Sequence, residues 1–144
     1  DPGGSGRLTL APAVLSSTAR DATSAALADL DRDGALDLVV TVVGAGPRVL
    51  FNRGGLLEDR SFVALPQPPP VAVAAAAGDW DGDCVADLVL AGPSSTALRG
   101  GVDGALTAEA ALAAATAVVA ADLDDDGAID HLLVGADGAR WVHR

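Results

Sequence analysis

Aspartate recurs at the first, third, fifth and ninth positions of three nine-residue cassettes. The first holds Asp29, Asp31, Asp33 and Asp37, the second Asp79, Asp81, Asp83 and Asp87, the third Asp122, Asp124, Asp126 and Asp130. Four carboxylates in nine residues repel one another unless a cation neutralises them. Hard oxygen donors on a tight loop, with Gly34 and Gly127 following the third aspartate, match what Ca²⁺ requires. In such a loop residues 1, 3 and 5 turn toward one centre. Position 7 offers its carbonyl (Ala35, Val85, Ala128), and the ninth residue closes the shell from the next strand. That supplies roughly five or six protein oxygens, with water completing the sphere. Leu30, Trp80 and Leu123 at position 2 point away and are expected to pack into the core, whereas Asp125 at position 4 is expected to face water. Cassette 2 departs from the pattern, with Cys84 at the turn-glycine position and Gly82 two residues earlier. Two or three calcium ions are therefore expected, the number depending on cassette 2.

The cassettes need elements to hold them, and these repeat as well. The first aspartates fall at 29, 79 and 122, giving periods of 50 and 43 residues, lengths found in propellers and similar arrays. A small-residue segment precedes each cassette: Ser24-Ala25-Ala26-Leu27-Ala28, Ala74-Ala75-Ala76-Ala77-Gly78 and Ala117-Val118-Val119-Ala120-Ala121. An apolar run follows each, then a turn, then another short run at Arg48-Val49-Leu50-Phe51, Thr96-Ala97-Leu98 and Arg140-Trp141-Val142. Short Val- and Leu-rich runs bounded by Gly and Pro read as strands. A fourth strand is expected around Ser61-Phe62-Val63-Ala64 and Ala105-Leu106-Thr107. Four antiparallel strands per ~45 residues make one propeller blade. The predicted fold is all-β: three blade-like four-stranded units, part of a β-propeller, at about 11–65, 66–107 and 108–144. Residues 1–10 resemble the end of a preceding blade, and the proline stretch at 66–70 reads as an extended, rigid connection. Glu109-Ala110-Ala111-Leu112-Ala113-Ala114-Ala115 has high helix propensity, but the repeat alignment makes it a loop running into a strand.

The net charge is −11, yet 13 of the 20 acidic residues lie inside the cassettes, leaving 7 outside them against 8 of the 9 arginines. Three bound Ca²⁺ would bring the total to −5. The acidity is local, and with no lysine and scattered arginines the chain lacks the basic surface of a nucleic-acid partner. No uninterrupted apolar run is long enough to span a bilayer as a helix. The single cysteine, Cys84, forms no internal disulfide and reads as a small, buried or half-buried residue. The absence of methionine, position 1 included, points to a processed product or part of a longer polypeptide. Two glutamates and two histidines offer no catalytic constellation. His131 stands where Leu38 and Leu88 stand in the other units, and Trp80 and Trp141 read as blade-packing residues.

DxDxDGxxDL at blade spacing resembles the FG-GAP/VCBS repeats of integrin-α-type β-propellers, and Asn52-Arg53-Gly54-Gly55 is similar to the Asn-x-Gly-Gly turn of such repeats. The resemblance covers nearly the whole chain. It implies calcium held in blade loops by the twelve cassette aspartates, an extracytoplasmic setting (secreted, periplasmic or cell surface), and roles in adhesion, ligand binding or assembly. The expected function is a non-enzymatic calcium-binding propeller segment, structural or protein-interacting. Its expected partners are other chains or the remainder of the same polypeptide, which would cover the open edges that three units leave. The alternatives are the scaffold of a larger extracellular enzyme, or a calcium-sensor or dockerin-like module. The β-prone runs flanking the cassettes disfavour the last.

Overall fold

The computed structural model describes residues 21–142. The β-prone runs fold into three antiparallel sheets, each a meander whose strand order follows the chain. Sheet 1 contains β1 (Ala22–Ala28), β2 (Asp37–Val42), β3 (Arg48–Arg53) and β4 (Leu56–Asp59). Sheet 2 contains β5 (Ala74–Gly78), β6 (Asp87–Ala91), β7 (Ser95–Gly100) and β8 (Leu106–Leu112). Sheet 3 contains β9 (Ala117–Ala121), β10 (Asp130–Gly135) and β11 (Gly138–Val142). The segment at 1–10 expected to end a preceding blade lies outside the described residues.

The sheets stack through their first strands, β5 lying against both β1 and β9. Alternation of side chains across the strands then builds two cores. Leu88 and Leu90 of β6, with Ala75 of β5, face sheet 1 and meet Leu30, Val39, Val49 and Phe51. Val89 and Ala91, with Ala74 and Ala76, face sheet 3 and meet Val118 and Leu133. Every residue of β6 is buried, so that strand is apolar on both faces after its aspartate. Alanine dominates the first strands because backbones of successive sheets converge there. Among the described residues no sheet covers the outer faces: Leu27 on β1 is 54% exposed and Val119 on β9 is 56% exposed.

Three local expectations change. The fourth strand of sheet 1 is β4, immediately after the Gly54–Gly55 turn, and Ser61–Ala64 is instead one helical turn, α1. Asp59 ends β4: its Oδ1 accepts from Ser61 N (2.9 Å) and Ser61 Oγ (2.6 Å), while Ser61 Oγ accepts from Val49 N (2.9 Å). In sheet 2 the fourth strand runs through the 107/108 division to Leu112, so only residues 113–115 of that segment stay outside it, and Glu109, Ala110, Ala111 and Leu112 are strand rather than loop. The ladder takes their N–H and C=O groups, with a bulge at Glu109 where Leu98 pairs with Ala108 and Ala97 with Ala110. The connection at 66–70 does join sheets 1 and 2, and contains a cis Gln67–Pro68 peptide.

Candidate metal centres

Each cassette is the loop of the first hairpin in its sheet. Ala28 pairs with Asp37, Gly78 with Asp87 and Ala121 with Asp130, so the ninth residue opens the second strand opposite the residue before the first aspartate. The three loops share one set of hydrogen bonds, to which cassette 2 adds Gly82 N donating to Asp79 Oδ1 (2.8 Å). The position-1 carboxylate accepts from the N–H of residue 6: Asp29 from Gly34 (2.9 Å), Asp79 from Cys84 (2.8 Å), Asp122 from Gly127 (3.0 Å). Position 3 accepts from residue 5 at 3.2 Å in all three loops. Position 5 accepts from residue 7: Asp33 from Ala35 (2.9 Å), Asp83 from Val85 (2.8 Å), Asp126 from Ala128 (2.9 Å). These bonds wind the loop and draw the aspartates inward. They also place Ala35, Val85 and Ala128, whose N–H groups they consume.

The ninth aspartates are buried beneath the loops. Asp37 accepts from Leu30 N (2.9 Å) and Asn52 N (2.8 Å); Asp87 accepts from Trp80 N (3.2 Å) and Gly100 N (2.8 Å). Asp130 accepts from Leu123 N (3.0 Å). Burial pushes the carboxyls of Asp37 and Asp87 above the usual aspartate range, because a low-dielectric site disfavours the charge. The backbone donors work against that shift, and the neighbouring aspartates at positions 3 and 5 add to it.

One carboxylate oxygen from each of three aspartates converges within 4.8 Å in every cassette: Asp29, Asp31 and Asp33; Asp79, Asp81 and Asp87; Asp122, Asp124 and Asp130. Asp37, Asp83 and Asp126 lie outside these tightest triplets. Such a cluster of oxygens could hold a metal ion, and a buried oxygen supports the fit: Asp29 Oδ1 has no hydrogen-bond partner. Leaving a buried polar atom without a partner is costly, and a cation would supply one.

Sequence reasoning missed two features. The first is that position 4, like position 6, takes a left-handed backbone. Arg32 (φ 60°) and Asp125 (φ 61°) precede Gly34 and Gly127, while in cassette 2 Gly82 (φ 76°) precedes Cys84 (φ 64°). Every cassette therefore puts one glycine at one of two left-handed positions, and cassette 2 merely exchanges which. Its loop closes like the others, and the Cys84 thiol is exposed rather than buried. Only the period-two spacing of Gly82 and Cys84 hinted at this.

The second feature is a pair of arginines. Arg53 Nη1 lies 2.5 Å from Asp31 Oδ2 and 2.6 Å from Asp33 Oδ2. Arg99 Nη2 lies 2.5 Å from Asp81 Oδ2 and 3.1 Å from Asp83 Oδ2. Both stand at the ends of third strands, a placement visible in the sequence once the strands are drawn. The Asp83 carboxyl is held below the usual range, first by the Val85 N–H and then by Arg99. Asn52 completes cassette 1, donating to the Leu36 carbonyl (3.1 Å) and accepting from Gly55 N (2.7 Å).

The position-2 residues diverge. Leu30 is 1% exposed in the core between sheets 1 and 2, and Trp80 sets its ring edge-on to His131 at 5.0 Å between sheets 2 and 3. Leu123, expected in the core, is 48% exposed, because among the described residues no further sheet covers that side of sheet 3. Asp125 is exposed, as its position suggested. No protein-family model matches this chain, and no curated protein matches it.

Proposed function

We propose that this chain is a calcium-binding segment of a β-propeller of the FG-GAP/VCBS kind, a non-enzymatic structural or protein-interaction module working outside the cytoplasm. One observation carries the reading: three aspartate loops sharing one set of hydrogen bonds close the first hairpins of three successive sheets that stack through their first strands. Successive four-stranded sheets around a common axis are how propeller blades are arranged, and the stacking supports that reading. The aspartates at positions 1, 3, 5 and 9 would hold the ion, with the carbonyls of Ala35, Val85 and Ala128 beside them. Bound calcium supplies positive charge where carboxylates otherwise repel, so binding and folding are coupled. The open faces bearing Leu27 and Val119 would be covered by other chains or by more of the same polypeptide.

Calcium titration of the 144-residue chain tests the proposal. Saturating calcium is expected to raise the melting temperature, since a ligand that binds only the folded state adds stability of about 2.7 kcal/mol at a hundred times its Kd. An unchanged melting temperature between exhaustive chelation and excess calcium at neutral pH would overturn it.

A further inference from the structure

Arg53 and Arg99 reach the same pair of carboxylates by different routes. Leu50 and Leu98 are equivalent, each pairing with the residue after the ninth aspartate (Leu38 and Leu88). Arg53 lies three residues beyond Leu50, whereas Arg99 lies one residue beyond Leu98. Two distinct register positions thus bring a guanidinium to positions 3 and 5 of their cassettes. A simple copy of one repeat would have used one position. The side chains of Asp31 and Asp81 are each only 7% exposed, and what meets them is a cation from the chain itself.

We propose that Arg53 and Arg99 are displaceable counter-cations: each holds the carboxylates of positions 3 and 5 in the metal-free loop and leaves them when the ion binds. This rests on the calcium reading above and sets how tightly cassettes 1 and 2 bind. Guanidinium and a divalent ion cannot both sit on those oxygens without strong mutual repulsion. Both arginines have a way out, their side chains being 39% and 45% exposed. Each also has a second seat. The Arg53 guanidinium already lies 5.2 Å from the Phe51 ring centre, a cation–π contact that remains after it leaves Asp31. Arg99 pairs across the ladder with Thr107, and Glu109, two residues on, adds to the negative field around it. The carboxylates of positions 3 and 5 therefore face a cation in both states, and calcium must compete with an internal one.

The test compares the 144-residue chain with Arg53→Gln, Arg99→Gln and the matching lysine variants, titrating calcium by calorimetry. Each glutamine variant is expected to tighten calcium binding at one site by about two- to fivefold, the scale of a partly exposed ion pair no longer broken. Its melting temperature in chelator should fall. The lysine variants keep a cation and should lie between. In the unsubstituted chain, calcium should also shift the Arg53 and Arg99 side-chain Nε–H resonances and speed their exchange with water. Calcium affinity unchanged or weakened in the glutamine variants, or arginine resonances indifferent to calcium, would overturn the proposal and leave the calcium reading standing. Failure of every chain, unsubstituted included, to take up calcium would overturn both.

Discussion

A buried carboxylate held by backbone donors is the hinge of each cassette, two of them in cassettes 1 and 2, and Asp37 shows why the residue type matters. Its two oxygens accept from Leu30 and Asn52, fastening the start of the loop to the end of β3. Asparagine at that position keeps one acceptor and turns an N–H toward the other donor. Asp37→Asn is therefore expected to lose about 1–3 kcal/mol in chelator, the cost of an unsatisfied buried group, partly offset by removing a desolvated charge. Chemical denaturation reads this directly. His131 is the opposite case: a polar residue where the other units carry leucine, 1% exposed, its Nε2 unpartnered, and its pKa lowered to about 4 by burial. A histidine depressed in the folded state contributes stability that is complete above its unfolded pKa near 6.5. That stability is lost as pH falls toward about 4, to a total of about 3 kcal/mol. His131→Leu should remove this part of the acid sensitivity, so the gap between variant and parent widens as denaturation is measured from pH 7 down to pH 4. A constant gap would show that His131 titrates normally.

At the scale of elements, the hairpins and their aspartate loops were legible because β-prone runs alternate with glycine and proline at a fixed period. What was not legible depended on side-chain bonds or on neighbours. Ser61–Ala64 has strand-like composition, but Asp59 binds Ser61 locally and turns the chain into α1. Ala110 and Ala111 after Glu109 favour helix in isolation, yet β7 offers them a ladder, and tertiary pairing overrides propensity. The second left-handed position in each loop was hidden because non-glycine residues occupy it in cassettes 1 and 3. Gly82 isolates its cost, since a Cβ there would meet nothing within 4 Å. Gly82→Ala is expected to destabilise by about 1–2 kcal/mol through backbone strain alone. Adding Cys84→Gly should recover part of that loss by returning a glycine to the loop, as thermal melts of the single and double variants would show. If the alanine variant melts with the parent, position 4 is not held left-handed in solution.

For the whole molecule, the placement of charge sets the largest conditional effect. The cassettes follow one rim: Ile129 of cassette 3 packs where a Cβ on Gly78, just before cassette 2, would stand, and Gly104 in the β7–β8 turn lies against Asp31 of cassette 1. Thirteen of 20 acidic residues are gathered there in a chain of net charge −11. Arg53 and Arg99 each neutralise part of one cassette, which is too little to cancel the field. Salt shortens the reach of that field, from about 30 Å at 0.01 M to under about 5 Å at 0.5 M. Without metal, raising NaCl across that range should therefore raise the melting temperature. Screening also weakens the arginine pairs, but four contacts to partly exposed guanidinium groups are worth less than the relief of thirteen like charges. Three calcium ions would cut the net charge from −11 to −5, and the same increase in salt should then move the melting temperature much less. Melts across the salt series, in chelator and in saturating calcium, measure both slopes. Equal slopes would mean that the carboxylates are neutralised by something other than the bound ion. A falling melting temperature in chelator would mean that the arginine pairs, not the repulsion, dominate the rim.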